Sequence, residues 1–144
     1  MKAVFLSLST VAFLFILLSS CNKSVEKQTI DEQLTGNWNW IRTDGGIGYN
    51  IHDTPASTGK EKVLNLHADH TYTITINNVL FSEGVFRIQS KQCIHDGKNK
   101  SFIQFDHVPG MMVESVDSNV LMLSDEVYDG VVSEYHRDGI NQPG

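Results

Sequence analysis

From Gly36 to Arg137 the chain alternates apolar and polar residues with a period of two. No stretch in that span sustains the helical period of about 3.6. Period two is the mark of strands with one buried face, so the alternation predicts an all-β fold. Gly36, Trp38, Trp40 and Arg42 share one face of a first strand; Asn37, Asn39 and Ile41 share the other. Further strands are predicted over 60–67, 72–76, 84–90, 101–105, 111–116, 120–123 and 131–137. Short turn sequences separate them: Ala68-Asp69-His70-Thr71, His95-Asp96-Gly97-Lys98, Asp117-Ser118-Asn119 and Tyr128-Asp129-Gly130. Eight short strands at this spacing read as an antiparallel sandwich or closed barrel, and hairpin-length links favour up-and-down order. One connection is long, Asp44 to Gly59, and loops of that length are usually functional or disordered.

Composition narrows the partners. The chain has 144 residues, one domain's worth, and a net charge of −6. An acidic balance argues against nucleic acid, whose phosphates it would repel, and against a polybasic membrane patch. The sequence holds two cysteines, Cys21 and Cys93. If Cys21 is modified, Cys93 has no intramolecular partner, and a buried, inert thiol is the commoner state for such a residue.

The amino terminus bears on the compartment. Met1-Lys2 is followed by an uncharged, largely apolar run from Ala3 to Leu18. A bilayer-spanning helix needs about 20 apolar residues, so the run suits the apolar core of a secretion signal. It ends in Leu18-Ser19-Ser20-Cys21, which resembles the bacterial lipobox. That resemblance implies cleavage before Cys21 and diacylation of its thiol, hence a membrane partner through lipidated Cys21. Asn22 follows where an aspartate would favour inner-membrane retention, so the expected location is the cell envelope, at the outer membrane, with the leaflet left open. The expected organisation is a lipoprotein signal peptide (1–20), a tether (21–33), a barrel domain (34–138) and a flexible tail (139–144). Within the tether, Thr29 with Glu32 three residues on fits a capping box for one helical turn up to Leu34.

A short helical turn, Gly36-Asn37-Trp38 opening the first strand, eight up-and-down strands and Arg137 in the last strand together resemble the lipocalin-like (calycin) barrel. More narrowly, Thr54-Pro55-Ala56-Ser57-Thr58-Gly59-Lys60 and Tyr135-His136-Arg137 resemble stretches of small lipocalin-like lipoproteins of Bacteroidetes-type bacteria. The resemblance implies that Trp38 plugs one barrel end with Arg137 packed across it. Gly36 would let the chain approach closely there. An eight-stranded barrel is filled by side chains or holds one small ligand, and Phe86, Phe105, Met112, Leu121 and Tyr135 are candidate fillers.

No catalytic motif, metal-ligand spacing or cofactor signature emerges, so a non-catalytic protein without metal or cofactor is expected. His67 and His70 flank a turn without a third ligand fixed by spacing. Glu114 shares a phase with Met112 and Val116, and burial would require a partner such as Arg87 or Arg137. Two functions stay open. In one, the barrel binds a small apolar or amphipathic molecule at its open end beneath the 44–59 connection, through Trp40, Arg42 and Tyr135. In the other, a filled barrel serves as an interaction or envelope module for a protein partner. A packed interior favours the second.

Overall fold

The computed structural model describes residues 28–139. The signal segment, Cys21, the tether up to residue 27 and the tail from residue 140 lie outside the described residues. Two short helices and nine strands follow in order: α1 (Ile30–Leu34), β1 (Gly36–Gly45), β2 (Ile51–Asp53), α2 (Pro55–Thr58), β3 (Lys62–Leu66), β4 (Thr71–Ile76), β5 (Val79–Gln92), β6 (Asn99–Phe105), β7 (Met111–Val116), β8 (Val120–Ser124) and β9 (Val131–Arg137). All pairings are antiparallel; from β3 to β9 they join sequence neighbours, β1 pairs with β3, and β9 returns to pair with β1. β1 and β3 to β9 therefore close an eight-stranded up-and-down barrel, which leaves no edge where the first and last strands meet. β2 is a short extra strand on β1, paired at Thr43–Gly45.

Two elements depart from the sequence expectation. The 44–59 connection is structured, because Thr54 caps α2, Pro55 sits at its first position and Gly59 ends it at φ 66°. Proline inside the start and glycine past the end is the usual helical asymmetry. β5 begins at Val79 rather than Gly84. Asn77 and Asn78, at φ 53° and 62°, form a two-residue hairpin turn that pairs Ile76 with Val79. Two residues at positive φ match the right-handed twist of the flanking strands, and asparagine tolerates that conformation. The Thr29–Glu32 capping box forms, and Leu34 at the end of α1 is fully buried.

The core lies along the barrel axis. Leu34, Trp38, Leu64, Leu66, Tyr72, Phe86, Ile103, Phe105, Val113, Leu121 and Leu123 form one cluster drawn from α1 and every barrel strand but β9. Half-buried Tyr135 adds β9 to it. The rings of Tyr72 and Phe105 meet edge-on at 4.7 Å between centroids. Each such side chain contributes roughly 1.5–3 kcal/mol by leaving water. Met112, expected among the fillers, points the other way. It pairs with Phe102 and packs with Cys93 on the opposite strand face. The reason is phase, since its neighbours Met111 and Val113 face the axis.

Candidate functional site

The end of the barrel under α1 is built by Gly36, Trp38 and Arg137. Trp38 and Arg137 oppose each other across β1 and β9. The guanidinium lies 4.2 Å from the Trp38 ring centre. Its Nη1 donates to the Thr35 carbonyl and its Nη2 to the Gln33 carbonyl, each at 2.7 Å; Nε donates to Ser118 O at 2.8 Å. The Trp38 indole N–H donates to Leu34 O at 2.7 Å. Orphan carbonyls at the end of α1 thus find donors, and one arginine joins α1, β9 and the β7–β8 turn. Gly36 sits at φ 146°, and a β-carbon there would fall 2.1 Å from Arg137 Nη1. Only glycine leaves room for the guanidinium.

At the other end, the structure brings together two of the three expected ligand residues. Trp40 and Tyr135 oppose each other across β1 and β9. Arg42 is turned away. A bulge between Trp40 and Arg42 inserts one residue, so Thr43 takes the inward position and Arg42 the outward one. Arg42 pairs outside with Glu134 at 2.8 Å and with Asp44 at 3.4 Å. Burial opposes charge on Glu134, but His136 and Arg42 outweigh it and hold the carboxyl below its usual range.

The inward polar groups bond to each other. Trp40 Nε1 donates to Thr43 Oγ1 at 2.8 Å, and Thr43 Oγ1 shares a proton with Ser133 Oγ at 2.7 Å. Tyr72 and Ser82 hydroxyls pair at 3.0 Å. Tyr135 is pushed up to about 12 by desolvation, against a small opposing effect of Ser133. Lys62, absent from the sequence-based site, lies over the Trp40 ring at 4.1 Å. Its phase with Leu64 and Leu66 carried that signal. Burial, with repulsion from Lys60, holds its ammonium below the usual lysine value despite Asp53. A cleft of about 340 Å³ opens beside this pair between β1 and β3, and Pro55 of α2 lines it with Asn39, Glu61 and His136.

Glu114 is half-buried and has the partners such a position requires. Its partners are Lys100 and the Ser124 hydroxyl, the latter at 2.6 Å, rather than an arginine. A bulge between Val113 and Ser115 sets it there. Lys100 also meets Asp96 at 3.0 Å, and these two bonds raise its pKa strongly. This cluster and the buried Cys93–Phe102–Met112 group make a second small core on the outer face. His70 packs its ring on Phe86 at 5.2 Å, a structural contact for a turn histidine.

Among the described residues, no group of three or more His, Cys, Asp or Glu is gathered to hold a metal ion, and no helix is long and apolar enough to cross a membrane. Opposite α1, exposed Ile47 and Tyr49 follow β1, while Val127 and Tyr128 precede β9. Gly46 N–H donates to Gly130 O at 3.0 Å and so ties these two connections together. No protein-family model, curated protein or solved structure matches the chain.

Proposed function

We propose that this protein is a lipid-anchored, lipocalin-like lipoprotein of the cell envelope that acts without catalysis, as a solid scaffold meeting a protein partner through its outer surface. The observation that carries this reading is the packed axis. Trp38, Tyr72, Phe86, Ile103, Phe105, Leu121 and Leu123 are all at most 3 % exposed, where a ligand cavity would otherwise lie. The inward hydroxyls of Thr43, Ser133, Tyr72 and Ser82 and the Trp40 indole each find a hydrogen-bond partner among themselves. The arrangement of Gly36, Trp38 and Arg137 supports the lipocalin-like part. Cys21 after Leu18-Ser19-Ser20 supports the anchor. The joined rim of Ile47, Tyr49, Val127 and Tyr128 is the kind of apolar surface that marks a contact site.

The test is photo-crosslinking in native membranes from positions 49 and 128, with native mass spectrometry of the purified full chain. The expected result is a crosslinked envelope protein and a barrel mass without small-molecule adducts. A co-purified hydrophobe whose release lowers the melting temperature would overturn the solid-scaffold reading. The second reading, a small amphiphile bearing a carboxylate, is favoured by the cleft beside Trp40 and Lys62. An aromatic floor with an ammonium above it suits such a ligand. Its test is a thermal-shift screen over fatty acids and aromatic acids, repeated on Lys62→Met. A shift lost in that variant would support it.

A further inference from the structure

β5 is twice the length of its neighbours, and its two halves do different work. Phe86 to Gln92 pairs with β6. Among the described residues, Val79 to Gly84 pairs with β4 alone, because β6 ends opposite Phe86. At Val85 the gap is closed by Asp106, whose carboxylate accepts its N–H at 3.1 Å. Among the described residues, nothing pairs with the other backbone edge of the strand from Val79 to Glu83.

Three of these five residues carry exposed apolar side chains. Val79 is 69 % exposed, Leu80 52 % and Phe81 64 %. Phe81 is the extra residue of a bulge between the Ile74 and Thr75 pairings, which sets its ring outside beside Leu80. Glu83 is the only charge, and no lysine or proline guards the edge. Natural edge strands usually carry such guards.

Open N–H and C=O groups beside bare apolar side chains specify the occupant. A lipid surface would take the side chains but leave the backbone unsatisfied. A globular surface would cover the side chains without pairing the edge. A second strand satisfies both. The chain's own β5 fits this role. In a two-fold antiparallel pair centred on Phe81 or Ser82, Glu83 of each copy faces Val79 or Phe81 of the other; centred on Val79 or Leu80, Glu83 lies at or beyond the partner's Asn77-Asn78 turn, so the carboxylates never oppose. Like charges directly opposite are what destabilise a cross-strand pair.

We propose that two copies of this protein associate through antiparallel β5–β5 pairing over Val79–Glu83, joining the two barrels into one continuous sheet. The pairing is isologous, as most homodimers are. It does not depend on what fills the barrel.

Single cysteines at positions 79 to 82 of the full chain test it, oxidised in native membranes and run without reductant. Opposed residues lie about 4.5–5.5 Å apart in antiparallel strands, within disulfide range. The expected result is a homodimer band that peaks at the residue on the two-fold axis and fades on either side. Sedimentation equilibrium of the full chain in density-matched detergent is expected to give two copies. Leu80→Lys and Phe81→Lys should each raise the dissociation constant at least tenfold. Val132→Lys, an exposed apolar control on β9, should leave it unchanged. Both lysine variants alter exposed side chains, and an unchanged melting curve will show that they fold. A single copy at every concentration, or a crosslinked band of another mass without the homodimer, would overturn the proposal. So would a dimer that persists in both lysine variants.

Discussion

Replacing Arg137 with alanine removes the tie between α1, β9 and the β7–β8 turn at once. The wild-type guanidinium makes three hydrogen bonds to main-chain carbonyls at 2.7, 2.7 and 2.8 Å and lies on the Trp38 indole. A net hydrogen bond contributes about 1 kcal/mol, and a partly desolvated cation–π contact about 1 kcal/mol. The site is half-buried and water can reach some of the freed carbonyls. We therefore expect Arg137→Ala to cost about 3 kcal/mol, and Arg137→Lys about 2 kcal/mol because one ammonium reaches at most part of the set. For a folded unit of this size, 3 kcal/mol lowers the melting temperature by roughly 12 °C. The assay is urea unfolding followed by the fluorescence of the two buried tryptophans, Trp38 and Trp40. Gly36→Ala should cost about as much as Arg137→Ala, since its β-carbon displaces the same guanidinium. In the Arg137→Ala background it should cost less, leaving only the backbone strain of φ 146°. A loss below about 1 kcal/mol for Arg137→Ala, or additive effects in that double-mutant cycle, would refute the reasoning.

Other outcomes follow from the same geometry. Tyr135 titrates near 12 in the folded protein, above its ordinary value of about 10. Its contribution to stability is then fully present below pH 10 and lost as pH rises toward 12; ultraviolet difference titration should show one of the four tyrosines ionising late, and Tyr135→Phe should abolish that step. Asp117 and Asp106 are held below their usual range by main-chain N–H groups of Asn119, Val120 and Val85. Lowered carboxylates stabilise above their unfolded pKa and lose that effect as pH falls through the folded one. Urea midpoints should therefore stay level down to about pH 5 and drop below about pH 4, less steeply in Asp117→Asn. Arg42→Ala should barely move the urea midpoint, being an exposed outward pair, whereas Trp40→Ala should lower it clearly; equal effects would contradict the bulge. Glu114→Gln should speed labelling of buried Cys93 by a thiol reagent several-fold, because Lys100 of β6 contacts both Glu114 of β7 and Cys93 in the turn before β6.

Much of this fold was legible in the residue order. Period-two alternation and turn residues located eight strands and the capped helix α1, because burial of one strand face leaves its mark on every second position. The Gly36, Trp38 and Arg137 positions were legible as well, since their order along the chain resembles a known barrel. Local rules also existed for α2 and for the Asn77-Asn78 turn, although neither stands out within a long polar connection or a run of β-branched residues. Only the tertiary structure decided the rest. A bulge is a mismatch between two strands and belongs to neither alone. The bulge after Trp40 turned Arg42 to solvent, and the one near Glu114 gave that carboxylate to Lys100. The packed axis likewise depends on how side chains from eight strands fit together. The unpaired edge of β5 depends on where β6 stops. Sequence determined which residues would be strand; the register between distant strands decided which way each one faces and which edge remains open.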